Sequence, residues 1–131
     1  MKLNRMLSVF ALVAALVTTS VSFAGNAPQT TSRFEGPKAN TGTAMYSVEN
    51  GKRILRVSAD FKVPDTPAPT WRVIDSKGNI YTLDAFKVKA GSGEKREVMV
   101  PAYVRDIVKV QVYCAWAEVI LGQAGFDSPV S

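Results

Sequence analysis

The chain has 131 residues, 47% of them hydrophobic, with 16 Lys and Arg against 11 Asp and Glu, one cysteine and no histidine. That is room for one small domain, and the apolar content is that of an ordinary globular chain rather than a disordered one. Without histidine, Ser-His-Asp and Cys-His catalysis are excluded, and a single cysteine beside that gap also excludes c-type haem and blue copper.

Zinc would find only carboxylates and one sulfur, so no metal or cofactor is predicted.

The first residues read as an export signal. Lys2 and Arg5 give a positive start, residues 6–17 (MLSVFALVAALV) form a short apolar core, and Ser22-Phe23-Ala24 offers small residues to a signal peptidase. Cleavage is expected after Ala24, with Ala27 as the second choice, so 1–24 is a signal peptide. The apolar core is shorter than the roughly 20 residues a membrane span needs, so no span is expected after cleavage. No cysteine follows that core to accept a lipid, and the domain is expected in the periplasm or outside the cell. Loss of Lys2 and Arg5 leaves fourteen bases against eleven acids, a net charge of about +3. Lys52, Arg53, Arg56, Lys62 and Lys77 are scattered and form no stripe for a phosphate backbone, which argues against nucleic acid.

Residues 25–33 (GNAPQTTSR) read as a polar lead-in, and a β domain is expected over 34–131, with Phe34 its first core residue. After a turn-rich 35–42, residues 43–48 (TAMYSV) suggest a strand. Asn50-Gly51 then gives a two-residue hairpin turn, because both residues accept positive φ. The return strand is expected over 52–61, with Leu55, Val57, Ala59 and Phe61 on one face. Three prolines in 62–70 make that segment an extended connection. Residues 71–74 form a strand with Trp71 and Val73 inward, 75–79 a turn, and 80–88 a strand with Leu83, Phe86 and Val88 as core candidates. A flexible loop is expected at 90–95, then a strand at 96–100 ended by Pro101, and a lead-in at 103–106.

The most apolar stretch of the domain is 108–126 (VKVQVYCAWAEVILGQAGF). With period two, Val108, Val110, Val112, Cys114 and Trp116 fall inward, while Lys109, Gln111, Tyr113 and Ala115 fall outward. The stretch splits into two strands near 116–118. Short strands with turns between them and no helical period predict an antiparallel β-sandwich or barrel-like domain.

Candidate chemistry is sparse. Glu94 with Glu97, and Asp60 with Asp65, read as solvated charges rather than acid–base pairs. Ser92 and Lys95 match Ser-x-x-Lys by chance in a loop. Trp71, Trp116, Tyr81, Tyr103 and Tyr113 read as core fillers and caps. Cys114, between Val112 and Trp116, reads on chemistry alone as a small buried hydrophobe.

A resemblance adds a second reading. Val110-Gln111-Val112-Tyr113-Cys114, followed by Val119, Leu121-Gly122, Ala124 and Phe126, resembles the closing signature of the DM-thirteen family, electron-transfer-type domains also found in Skeletor-like proteins. Phe34 and Gly36, Leu55 to Phe61, Pro67 to Val73, Leu83 to Phe86, Gly93, and Val98 to Pro101 resemble its earlier markers in order. Two positions depart from it. Asn40 or a neighbour stands where members often carry histidine, and Ala117 stands where an aromatic is usual, with Trp116 one place early. The resemblance implies an all-β fold and a redox role that would fall on Cys114, by a thiol-only mechanism. Tyr113 and Trp116 are the neighbours able to relay an electron or pack against the sulfur.

Two functions follow as expectations. One is a thiol-based redox or electron-transfer accessory with a protein redox partner; the other is a non-catalytic structural or protein-binding module of the cell envelope, with Cys114 in its core. A disulfide-linked homodimer is a third arrangement, and it needs Cys114 at an accessible edge.

Overall fold

The computed structural model describes residues 15, 27–88 and 93–131. The expected leader therefore lies, but for Ala15, outside the described residues, as do residues 90–92 of the expected loop. No helix among the described residues is long and apolar enough to cross a membrane.

Among the described residues eight strands follow one another: β1 (Gln29–Thr30), β2 (Ala44–Glu49), β3 (Lys52–Val57), β4 (Pro69–Ile74), β5 (Ile80–Ala85), β6 (Glu97–Met99), β7 (Ile107–Cys114) and β8 (Val119–Val130). They form two four-stranded sheets, ordered β1-β2-β3-β6 and β5-β4-β7-β8, with every neighbouring pair antiparallel. The all-β expectation holds, in the form of two sheets rather than a closed barrel.

The β2–β3 hairpin turns on Asn50 and Gly51, whose φ angles of 50° and 76° give the turn a twist that matches the strands. Leu55 and Val57 point inward as expected, but the strand stops at Val57. The Ser58 hydroxyl accepts the Thr43 N–H at 2.9 Å, and the Phe61 N–H donates to the Ser58 carbonyl at 3.0 Å. That turn exposes Ala59, against expectation, and swings Phe61 into the core. Val88 is likewise corrected: β5 ends at Ala85, Phe86 folds inward, and Val88 lies beyond the strand, 47% exposed.

The core between the sheets is organised by four aromatic rings. Phe34 and Phe61 have centroids 5.0 Å apart, Phe61 and Phe86 5.6 Å, and Phe86 and Trp71 4.4 Å. Tilted and offset contacts of this kind stabilise beyond the area they bury. The Trp71 indole N–H is satisfied by the Lys95 carbonyl at 3.1 Å.

The lead-in is more structured than a tether. Gln29 and Thr30 pair with β2, and Thr31 is buried. Ser32 donates its N–H to Gly125, Glu35 and Gln123 exchange two backbone bonds of 2.9 Å, and Lys38 and Ala39 both donate to the Leu121 carbonyl. Residues 32–39 thus run from the β2 sheet to the outer edge of β8. Glycine permits the contact: a Cβ on Gly36 would strike the backbone of Gly122, and one on Gly122 would strike Ala39.

β7 lies between β4 and β8, and Val110 and Val112 on its inward face are fully buried in the core. A register shift between Ile107 and Lys109 interrupts the alternation, so Ile107 is buried and Val108 only half-buried. The chain reverses at 115–118, as the split of the stretch into two strands requires.

Candidate functional site: the apolar end around Cys114

Cys114 closes β7 with its side chain on the inward face, 1% exposed and with its thiol free. The next residues fold back over it. Ala115 donates its N–H to the Ala68 carbonyl at 3.0 Å, and Glu118, at a left-handed φ of 55°, donates to the Cys114 carbonyl at 2.8 Å. This brings the Ala117 N–H to the sulfur, with N···Sγ 3.4 Å.

That N–H is the main reason the thiol is held below the ordinary cysteine range. Burial pushes the other way, and the backbone N–H groups of Trp116 and Ala68 add to the lowering. The Thr66 hydroxyl adds least, and by geometry its buried oxygen has no hydrogen-bond partner. Cys114, read from the sequence as a buried hydrophobe, thus has sheet residues around it on one side and backbone donors of a tight turn facing it on the other.

The sulfur borders an open groove of about 410 Å³ at this end of the sandwich. Pro37 and Lys38 form one flank, from the segment laid along β8, and Thr66 and Pro67 of the proline-rich connection form another. Trp116, Ala117, Val119, Ile120 and Leu121 complete it from the hairpin. Trp116 is 77% exposed, Val119 48% and Ile120 44%. Trp116 was expected inward by period two; it sits in the turn, where the alternation has ended, and stands at the groove rim.

Tyr113 does not join this site. It lies on the outward face of the sheet, half-buried, with the Arg72 guanidinium 4.2 Å from its ring centre. Trp71 is central to the core, whereas Tyr81 and Tyr103 pair at 5.8 Å elsewhere on the surface, near Asp75. The carboxylates expected to be solvated are held in separate contacts. Glu97 and Glu49 share Arg56 at 2.6 and 2.7 Å, Glu94 meets Arg96 at 3.0 Å, and Asp65 lies 3.7 Å from Lys87. Asp60 accepts the Ser58 hydroxyl, and Lys95 pairs with Asp84 at 2.6 Å. Among the described residues, no three Cys, Asp or Glu side chains gather as a metal site.

Val119, Ile120, Pro37 and Pro67 were not legible as site residues. The available signal was the apolar run continuing past the reversal at 115–118, where a solvated turn would carry polar residues. No family model, curated protein or solved structure matches the chain.

Proposed function

We propose that the domain is a non-catalytic protein-binding module of the cell envelope, and that it makes contact through the apolar end of the β7–β8 hairpin. The observation that carries this reading is the run of exposed Trp116, Val119 and Ile120 around one groove. Scattered surface hydrophobics need no explanation, but a contiguous patch with a tryptophan at its edge has the composition of an interface. A photo-crosslinking residue placed at Trp116 in the producing cell is expected to give discrete protein adducts, lost when Ile120→Lys is added. The same residue placed at Lys77 should give none. Absence of any adduct at Trp116, or equal adducts at both positions, sinks the reading.

A second reading, the thiol-based redox accessory, is favoured by the Ala117 N–H directed at the Cys114 sulfur and is in keeping with the DM-thirteen-like signature. In it the thiolate attacks a peroxide oxygen, the O–O bond breaks, and sulfenic acid and hydroxide result. A partner thiol then displaces that oxygen as water to give a mixed disulfide. Alkylation and peroxide titration of the native protein test it. A Cys114 that reacts only after unfolding would end this reading and leave the first untouched.

A further inference from the structure

We infer that the occupant of the groove is a second copy of this chain, docked about a two-fold axis; the inference rests on the binding-module reading above. A closed dimer requires one patch to be complementary to itself, so that residue i meets j and j meets i. This end of the molecule carries both parts of such a fit on one surface: a projecting indole, Trp116, and the apolar hollow beside it.

The charges at the site match in the same way. Lys38 lines the groove from the β8 edge and Glu118 closes the turn next to Val119, and neither makes an ion pair among the described residues. A two-fold that sets Lys38 of each copy against Glu118 of the other makes two equivalent pairs, and the patch carries no net charge to oppose self-association. An anionic membrane would be met by one lysine and repelled by one glutamate, which disfavours it as the occupant. The area also fits. A largely exposed tryptophan offers roughly 200 Å². With Val119, Ile120 and the rim, each copy contributes on the order of 500 Å², so the pair buries about 1,000 Å², the low end of specific interfaces. The dimer is therefore reversible and weak, and non-covalent because Cys114 lies at the floor of the groove beneath the turn.

Sedimentation velocity of the protein as isolated from cells, over roughly micromolar to submillimolar concentration, with and without reductant, tests this. A reversible monomer–dimer equilibrium indifferent to reductant is expected. Lys38→Glu and Glu118→Lys should each weaken it roughly tenfold, while the double variant restores it to within about threefold of the parent. Circular dichroism of each variant confirms that it is folded. A monomer at every concentration, a dimer that reductant dissolves, or a double variant as weak as the singles would overturn the inference. Crosslinks from Trp116 to a different protein, with the chain monomeric, would overturn the second copy while upholding the module; no crosslinks at all would remove both.

Discussion

Gly122→Ala is the most demanding test of how the apolar end is built. The added methyl would lie 2.7 Å from the Ala39 Cβ and strike the Ala39 carbonyl as well. Neither segment can yield easily. Lys38 and Ala39 hold the Leu121 carbonyl at 3.0 and 2.9 Å, and Glu35 and Gln123 exchange two more bonds at 2.9 Å. If the contact is kept, overpacking costs about 1–3 kcal/mol. If residues 35–39 lift away, four backbone bonds at roughly 0.5–1.5 kcal/mol each are exchanged for water, about 2–6 kcal/mol in all. The cheaper route governs, and the expected loss is about 1–3 kcal/mol. With a urea slope of roughly 1–1.5 kcal/mol per molar for a domain this size, the unfolding midpoint should fall by about 1–3 M. Hydrogen exchange should show the Gln123 and Ala39 amides losing protection first. Because Pro37 and Lys38 flank the groove, self-association should weaken alongside. A loss below about 0.5 kcal/mol would show that residues 35–39 and β8 do not press on each other there, and the close-approach role of Gly122 would fall.

Cys114→Ala should lower stability by about 1 kcal/mol, since it removes one buried atom and leaves the Ala117 N–H without its acceptor; thermal unfolding measures this. The two tryptophans should separate by fluorescence. Trp116→Phe should leave a blue-shifted emission from Trp71 that acrylamide hardly quenches, and a red, quenchable residue of signal would contradict the burial of Trp71. Burial alone would push the Asp75 carboxyl up, but the bonds from Asn79, Tyr81 and Lys77 outweigh it and hold the group below the ordinary carboxylate range. Its stabilisation is therefore present above the unfolded pKa of about 4 and is lost as pH falls through the lower folded value. The melting temperature should drop on acidification in that window, and Asp75→Asn should flatten this part of the profile; an unchanged slope in the variant would refute the assignment.

The sheets were largely legible because their determinants are local. Asn50-Gly51 announces a hairpin by its φ preferences, and Leu55, Val57, Trp71, Val73, Val110 and Val112 announce inward faces by period two. The misreadings fall where alternation meets a strand end. Ala59, Val88 and Trp116 each lie two or three residues past the end of a strand, and nothing in a run of side chains marks where a strand stops. Val108 was misplaced by a register shift, which depends on the partner strand. The site was half legible. Cys114 stood out as the lone sulfur, but the groove beside it is assembled from residues 37–38, 66–67 and 114–121, and only the fold brings these together. The donors aimed at the sulfur are backbone amides, which have no letter in the sequence.

Residues 32–39 and β8 hold each other although Ser32 and Gly125 are 93 positions apart. During synthesis this segment therefore has no edge to lie against until β8 has been made. β4 waits in the same way for β7, its partner on the far side from β5. Neither half of the chain contains a finished sheet-on-sheet core, so folding has no stable intermediate stop along the length of the nascent polypeptide. Non-local pairing of this kind sets a timescale of milliseconds to seconds. The order of synthesis and the order of assembly are thus uncoupled: the domain folds as a whole after β8 is complete, and any truncation that removes β8 removes the partner of residues 32–39 as well.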